Sequence, residues 1–300
     1  MAFADIECES QDGVHFLLSG PAASTSALVF VHGWACEGSD YRYLTHELRE
    51  RDFNSRIVAV DLPGHGKTPK ECCSHPTMSA FAEKISALVN ELALERTIVV
   101  GHSMGCRIAV ETCSKINESS GNAICSGVVF LDGSHYSLRP GRLAFERGDP
   151  LHDNRSPEQI DALKEKVFKN MFGDRTPSEF KRTALEHVKA MDSEYSSAIR
   201  DAFIEYDYHS WDEALASLGS SGTPLLNFQS NDVDASNQRI QLQAGQVSKW
   251  MVHLGQKAPQ VKHFVVEDSG HFPHVDQPKK VSEVLLDFMK AIDKIMNIAG

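Results

Sequence analysis

Short apolar runs alternate with helical patterns up to residue 131, and this alternation limits the possible folds more than any other feature. The runs are continuously apolar, which is typical of parallel strands covered on both faces of a sheet. A 3.6-residue apolar period between the second and third runs predicts an amphipathic helix. Together these patterns predict an α/β fold with right-handed crossovers. The predicted strands are residues 27–31, 56–60, 97–100 and 127–131, and the helical stripe is Phe81, Ile85, Leu88, Val89 and Leu92.

The pattern changes in the second half of the chain. Residues 134–220 contain helical patterns and loops but no convincing strand. Strand patterns return at residues 224–228 and 262–266, and an amphipathic helix closes the chain. We therefore predict one α/β core, formed by residues 1–133 and 221–300, with residues 134–220 inserted into it as a helical cap.

Two helix starts are predicted inside the cap. Residues 156–159 and 176–179 each match a capping box with proline at the first helical position. The cap is also rich in aromatic residues, which either form its own core or line an apolar pocket above an active site. These residues are Phe145, Phe168, Phe172, Phe180, Tyr195, Phe203, Tyr206, Tyr208 and Trp211.

Composition and charge exclude several classes of protein. The net charge of −11 disfavours nucleic-acid binding, since an acidic surface repels phosphate. The first residues lack the basic and apolar regions of a secretory signal, so we expect no such signal, and no apolar run is long enough to span a bilayer. Seven cysteines without a Cys-x-x-Cys pair predict reduced thiols and a cytoplasmic location. No nucleotide-binding or zinc-peptidase motif occurs, so we expect a small-molecule substrate, no cofactor and no metal site, and leave the oligomeric state open.

Residues 101–105, Gly-His-Ser-Met-Gly, match the pattern Gly-x-Ser-x-Gly. They follow a predicted strand and precede a helix predicted at residues 103–115. This context predicts a sharp, strained turn that presents the Ser103 hydroxyl above the sheet. Ser103 is therefore the candidate nucleophile, with a plain helix-capping role as the alternative. A serine hydroxyl is weakly nucleophilic at its ordinary pKa, so it requires a base.

His271 is the candidate base, because it follows the last predicted strand and histidine titrates near neutral pH. His274, three residues later, is the alternative. A carboxylate must orient the imidazole and stabilise its charged form. Asp132 ends one predicted strand, while Asp232 and Asp234 follow another, and we favour Asp132 over these two.

The oxyanion formed in an acyl-transfer reaction is stabilised by hydrogen-bond donors whose positions are fixed before the reaction begins. We expect these donors to be the backbone N–H groups of Met104, directly after the nucleophile, and of Trp34, in the loop after the first predicted strand. Gly33 allows that loop to come close to the nucleophile. Trp34 and His102 are the predicted substrate-binding side chains.

Taken together, these motifs resemble those of the α/β-hydrolase superfamily, occur in the same order and extend over residues 12–296. The resemblance implies a mostly parallel eight-stranded α/β-hydrolase sheet with a helical cap inserted after strand six. The motifs are His32-Gly33-Trp34, Asp61-Leu62-Pro63-Gly64-His65-Gly66, residues 101–105, and Gly270-His271-Phe272-Pro273-His274 with Pro278.

One departure from the family pattern concerns the acid. Many members place it after strand seven as Gly-x-x-Asp, where this chain has Val233, with Asp232 and Asp234 each one residue out of position. The departure favours Asp132, because some members use an acid after strand six. Leu-Asp-Gly-Ser at residues 131–134 is similar to a subgroup that includes relatives of cofactor-free ring-cleaving dioxygenases.

Three hypotheses follow for the function. The favoured one is a serine hydrolase of the EC 3.1 class that cleaves an ester, lactone or thioester of a small apolar or aromatic molecule. It would act through Ser103, His271 and Asp132 and an acyl-enzyme. The alternative is carbon–carbon cleavage, cyclisation or cofactor-free 2,4-dioxygenation with His271 and Asp132 as the base. The third is a ligand-binding protein without turnover.

Overall fold

The computed structural model describes residues 6–119, 121–138, 162, 165–234 and 238–299. Its strands are β1 (Ile6–Glu9), β2 (His15–Ser19), β3 (Ser26–Val31), β4 (Arg56–Val60), β5 (Arg96–His102), β6 (Ile124–Leu131), β7 (Leu225–Gln229), β8 (Asn231–Val233), β9 (Arg239–Gln241) and β10 (Lys262–Val265). Its helices are α1 (Arg42–Glu50), α2 (Met78–Glu91), α3 (Gly105–Glu118), α4 (Ser178–Ala190), α5 (Ser193–His209), α6 (Trp211–Ser220), α7 (Lys249–Lys257), α8 (Pro273–Asp276) and α9 (Pro278–Ala299).

Eight strands form one sheet in the order β1-β2-β4-β3-β5-β6-β7-β10, and β8 pairs with β9 in a separate hairpin. β1 and β2 pair antiparallel with each other, and β2 pairs antiparallel with β4. The strands from β4 through β3, β5, β6 and β7 to β10 are parallel to their neighbours. The mostly parallel eight-stranded sheet is therefore confirmed.

Both faces of the sheet are covered, which explains why its central strands are continuously apolar. Val29 of β3 lies in an apolar layer with Phe81 of α2. Its neighbour Phe30 lies in the opposite layer, with Leu44 of α1 and Leu285 of α9. Because successive side chains of a strand point to opposite faces, both must be apolar here.

Between β6 and β7 the described residues are helical at 165–169 and in α4, α5 and α6, and none of the residues described there forms a strand. We call α4 to α6 the helical insertion. The exact cap boundaries at residues 134 and 220 stay a prediction. The helix start predicted at residues 156–159 and Phe145 lie outside the described residues.

The helix start predicted from Thr176 is wrong in its capping residue. α4 has Pro177 at its N-cap, and no side chain caps the helix. The Thr176 hydroxyl instead accepts a hydrogen bond from Gly173 N at 2.8 Å and donates one to Asp276 Oδ1 at 2.7 Å. These contacts connect the segment just before α4 to α8. Because the Thr176 hydroxyl makes these hydrogen bonds, it does not cap α4.

No helix of the described residues combines the length and the apolar character that crossing a membrane requires. All seven cysteines are free thiols.

Candidate active site

Ser103 stands at a sharp turn between β5 and α3. Its φ of +53° lies in the left-handed region that residues with a side chain rarely adopt. The amide of Ser103 donates to the Leu131 carbonyl at the end of β6, at 3.1 Å. A Cβ on Gly101 would lie 2.2 Å from the Gly105 carbonyl oxygen, and one on Gly105 would lie 2.3 Å from the Val31 carbonyl oxygen. Glycine is therefore required at 101 for α3 to begin this close to β5, and at 105 for the turn to pack against β3.

The loop after β10 brings His271 to the same edge of the sheet. Its amide donates to the Met171 carbonyl at 2.7 Å, and its carbonyl accepts from Nε2 of His102 at 2.9 Å. The ring centroids of His102 and His271 are 4.8 Å apart. Because His102 directly precedes Ser103, these contacts hold His271 beside the turn.

Asp132 binds His271 directly. Its Oδ2 lies 2.5 Å from Nδ1 of His271, and both side chains are buried. A carboxylate can only accept, so this contact places the proton of a neutral imidazole on Nδ1 and leaves Nε2 unprotonated, as a base requires. Asp132 has a φ of +51°, a second strained position, directly at the end of β6.

The other oxygen of Asp132 is held by the chain that follows β7. Oδ1 accepts from Ser230 N at 2.9 Å, Ser230 Oγ at 2.8 Å, Gln229 Nε2 at 3.1 Å and Asn231 N at 3.2 Å. These partners are all donors, so the surroundings favour an ionised carboxylate.

The pKa of Asp132 reflects a balance of burial and partners. Burial alone would raise it, but the hydrogen bond and charge of His271 and the charge of Arg239, 3.5 Å away, lower this pKa to about 2. The carboxylate is therefore ionised at neutral pH and can stabilise an imidazolium.

The two alternative acids lie elsewhere. The Asp232 carboxylate accepts from the amides of Val233 at 2.8 Å and Lys249 at 3.3 Å. The Asp234 carboxylate accepts from the Gln238 amide at 2.9 Å. The structure thus brings Asp132, and not these residues, to Nδ1 of His271.

The alternative base, His274, is buried behind the turn. Its ring stacks on Tyr41 and lies 4.8 Å from that of His102. Burial, together with the nearby His102, holds the pKa of His274 well below its usual value, so the ring is neutral. Packing is the role that this position supports.

His102, predicted to bind substrate, is 1% exposed. Burial and the nearby His271 lower its pKa to about 3, which makes the ring neutral and consistent with Nε2–H as a donor to the His271 carbonyl. In this position His102 supports the loop of His271. The half-buried ring of Trp34, the other predicted substrate-binding side chain, lies 6.0 Å from that of Phe168, and its Nε1 donates to the Ser196 carbonyl of α5. Its role in binding substrate stays a prediction.

The Trp34 amide is oriented by the peptide that contains it. The Gly33 carbonyl accepts from Nδ1 of His32 at 2.7 Å and from the Cys36 amide at 3.2 Å. In a trans peptide the N–H points opposite to the C=O, so the Trp34 N–H points away from these partners. A Cβ on Gly33 would lie 3.1 Å from Cβ of Ser103, so this peptide packs directly against the turn.

The Met104 amide is oriented in the same way. The Ser103 carbonyl of its peptide accepts from the Cys106 amide and from Nη1 of Arg107, each at 3.1 Å. The Met104 N–H therefore points to the other side. Within the described chain, we find no hydrogen bond from the amides of Trp34 or Met104 to another group. Two donors are thus left beside Ser103.

Arg107 is a site residue that sequence reasoning missed. It forms a buried bidentate ion pair with Asp207 of α5, at 2.7 and 2.6 Å, and its Nη2 also donates to the Ser134 carbonyl at 2.7 Å. The side chains are 1% and 0% exposed. One sequence signal could have indicated Arg107. It lies four residues after the proposed nucleophile, on a helix that must pack against the sheet.

Most described aromatic residues of the insertion are packed. Phe168, which precedes the insertion, and Phe180, Tyr195 and Trp211, which lie within it, are buried against the core, whereas Tyr208 is exposed. For the first four, formation of a core is the interpretation that the structure supports.

The sequence profile of the alpha/beta hydrolase family matches residues 28–284. The chain belongs to this family. Among curated proteins, it is 36% identical over 85 residues to AB hydrolase superfamily protein YisY of Bacillus subtilis, a match covering 28% of this chain and 30% of YisY. It is 21% identical over 278 residues to a proposed esterase/lipase of Mycoplasma genitalium, covering 91% of this chain and 92% of that protein.

Solved structures of the family share the fold. A proposed aryl esterase from Burkholderia cenocepacia superposes with a TM-score of 0.72 at 18% identity, covering 97% of this chain and 100% of the other. The esterase EaEST from Exiguobacterium antarcticum has a TM-score of 0.69 at 18% identity, covering 96% and 100%. Identities this low support the fold and leave the reaction to be argued from the site.

Proposed function

We propose that this alpha/beta hydrolase is a serine hydrolase that cleaves a carboxylic ester, lactone or thioester, an EC 3.1 activity. The observation that carries the proposal is the buried contact of 2.5 Å between His271 Nδ1 and Asp132 Oδ2 beside the strained turn of Ser103. The names of the relatives, an esterase/lipase and esterases, agree with this reaction class.

The reaction would proceed in two steps. Ser103 Oγ attacks the carbonyl carbon while its proton passes to Nε2 of His271, and Asp132 stabilises the imidazolium. The amides of Trp34 and Met104 bind the oxyanion, and the leaving group departs with the proton from His271. Water, deprotonated by His271, then attacks the acyl-enzyme, and the acid product leaves with Ser103 restored.

The substrate is proposed to be a small apolar or aromatic molecule. Trp34 supports this, because its ring stands between the turn and the helical insertion, next to Phe168. The acidic net charge of −11 also disfavours a polyanionic substrate. A graded series of p-nitrophenyl esters tests this part, and much faster turnover of the acetate than of longer acyl chains would reject it.

A fluorophosphonate probe tests the nucleophile. We expect one adduct per chain, located by mass spectrometry on the peptide that contains Ser103, because the probe reacts with a serine activated by a base. Ser103→Ala is expected to take up no label, and Ser114→Ala, a serine on the outer part of α3, to be labelled like the wild type. Labelling that persists in Ser103→Ala would reject the mechanism.

Turnover that survives in Ser103→Ala but is lost in His271→Ala would select the non-hydrolytic alternative. In that case His271 and Asp132 act as a base without a serine nucleophile. Tight ligand binding with no turnover would instead indicate a binding protein.

The Arg107 contact to the Ser103 carbonyl predicts a positioning role. Lysine at this position keeps the charge but cannot hold Asp207 in a bidentate pair and reach the Ser103 carbonyl at once. We expect Arg107→Lys to lower kcat by about 10- to 100-fold with little change in KM, because a misdirected Met104 amide weakens the oxyanion hole.

Asp207→Asn separates this role from simple stability. It weakens the ion pair but leaves Nη1 of Arg107 free to hold the Ser103 carbonyl, so Tm should fall while kcat falls less than in Arg107→Lys. Arg182→Lys, on the exposed side of α4, is the control. Equal losses of kcat in Arg107→Lys and Asp207→Asn would contradict the positioning role.

A further inference from the structure

Three metal-binding side chains meet where the helical insertion joins the core. His135 lies in the loop after β6, Asp212 in the first turn of α6 and His253 in α7. Their ligand atoms all lie within 4.8 Å of one another. We propose that His135, Asp212 and His253 form a binding site for one Zn²⁺ ion, distinct from the proposed catalytic residues and independent of the proposed function.

Both imidazoles face the same carboxylate oxygen. Oδ1 of Asp212 lies 3.2 Å from Nε2 of His135 and 2.7 Å from Nε2 of His253. Tetrahedral zinc with bonds of about 2.0–2.2 Å places its ligand atoms about 3.3 Å apart, so small side-chain rotations suffice. Two imidazoles and one carboxylate suit zinc, whereas Mg²⁺ and Ca²⁺ require mostly oxygen ligands.

One ligand of the proposed site is buried and another is exposed to solvent. The His135 side chain is 4% exposed, whereas that of Asp212 is 48% exposed. The buried imidazole is fixed by its surroundings, and the exposed carboxylate leaves a path for the ion and a position for water as the fourth ligand.

Ser137 supports the ring of His135. Its hydroxyl lies 2.7 Å from Nδ1, and its amide donates to the same atom at 3.1 Å. Zinc on Nε2 requires the ring proton on Nδ1. The Nδ1–H can then donate to the Ser137 hydroxyl, and this hydrogen bond orients the ligand. The Ser137 amide no longer donates to Nδ1 in that state, because the protonated nitrogen cannot accept.

Lys257 provides a way to distinguish a zinc site from a simple hydrogen-bonded cluster. Its Nζ lies 2.8 Å from Oδ2 of Asp212, so it orients the carboxylate while its charge opposes a cation. For a zinc site, Lys257→Gln should bind zinc more tightly. For a hydrogen-bonded cluster, the same change brings no gain in zinc affinity.

Bound zinc would join three parts of the fold. The loop that carries His135 begins at Asp132, α6 ends the helical insertion, and α7 belongs to the core. Sequence motifs could not show this site, because Asp212 is separated by 77 residues from His135 and by 41 from His253. The absence of a local zinc motif predicted no metal site, and the tertiary contacts now argue for one.

The test uses the purified full chain, stripped with a chelator and titrated with ZnCl₂. We expect about one zinc per chain and a rise in Tm of about 5 °C at zinc one hundred-fold above Kd, since the ion binds the native state. MgCl₂ and CaCl₂ should leave Tm unchanged. His253→Ala and Asp212→Asn should each weaken zinc binding at least about 10-fold, as loss of a ligand requires.

His209→Ala, an exposed histidine at the end of α5, is the matched control and should bind like the wild type. Circular dichroism of each variant checks that it is folded, and Lys257→Gln supplies a test that removes no ligand. The proposal is overturned if the wild type binds no zinc in the ZnCl₂ titration, or if zinc binding survives unchanged in both His253→Ala and Asp212→Asn. Unchanged or weaker binding by Lys257→Gln also counts against it.

Discussion

Replacing Ser103 by alanine is expected to lower kcat for a p-nitrophenyl ester by about 10⁴-fold or more, with KM changed only a few-fold. The hydroxyl is the atom that attacks the carbonyl carbon, whereas binding of the ester depends on the surrounding surface. Residual turnover should come from the amides of Trp34 and Met104, which still bind an oxyanion when water attacks. Steady-state kinetics of the purified variant give this result.

His271→Ala is expected to cost about as much as Ser103→Ala, and the double variant little more than either single one. This non-additivity arises because each residue is useless to the reaction without the other. Ser114→Ala, on the same helix but hydrogen-bonded to Glu118 at 2.7 Å, should retain full activity. Fully additive losses would show that the two residues do not act as one unit.

Asp132→Asn should lower kcat by about 10⁴-fold, because the amide cannot keep the correct tautomer of His271. Asparagine has one acceptor and one donor end. Its NH₂ group must face either Nδ1 of His271 or the donors of Ser230 and Asn231. In the first case Nε2 of His271 carries the proton and cannot act as a base. In the second case the NH₂ group of asparagine faces the donors of Ser230 and Asn231, so that donor opposes donor.

The same substitution should also destabilise the fold by about 3 kcal/mol, because the amide cannot accept all the hydrogen bonds that the buried carboxylate accepts from His271 and Ser230. The pKa of about 2 lies below the ordinary value of aspartate, so this stabilisation is present above about pH 4 and is lost as the pH falls towards 2. Asp132 therefore does not set the acid limb of a pH–rate profile near neutrality. Urea unfolding at pH 7 and at pH 3 measures the effect.

Asp232→Asn and Asp234→Asn are the matched controls for the acid. Their carboxylates accept from backbone amides beside β8, so their loss should change kcat less than about 3-fold. A large loss of kcat in either variant, with activity kept in Asp132→Asn, would show that the acid is a residue of the segment after β7 and not Asp132.

Much of the fold was predictable because the buried strands are short and continuously apolar. β3 to β6 contain the predicted apolar runs, although β5 ends two residues later and β6 begins three residues earlier than predicted, and β7 and β10 are displaced by one residue at most from the predicted ends. β1 and β2 were not predicted. The exposed pattern of β1 and the mixed pattern of β2 belong to the antiparallel edge of the sheet, where apolar runs are not required.

The candidate site was predicted where a local pattern carries the chemistry. The strained turn of Ser103 follows from glycines two residues on either side, and His271 follows from its place after the last strand. Arg107 was missed, because a helical arginine is normally exposed and only its pairing with Asp207 of the helical insertion allows burial. Thr176 was assigned to a helix cap, but its hydroxyl is bound to Asp276, a residue 100 positions away.

The sequence by itself determined the family, the six strands that pair in parallel and the two side chains proposed to carry the reaction. These depend on local spacing, since a turn or a buried strand imposes its pattern on neighbouring residues. Only the tertiary structure decided which carboxylate reaches His271, how the amides of Trp34 and Met104 are oriented, and that His135 meets Asp212 and His253. Each of these depends on contacts between distant segments, and such contacts leave no fixed spacing in the sequence to read.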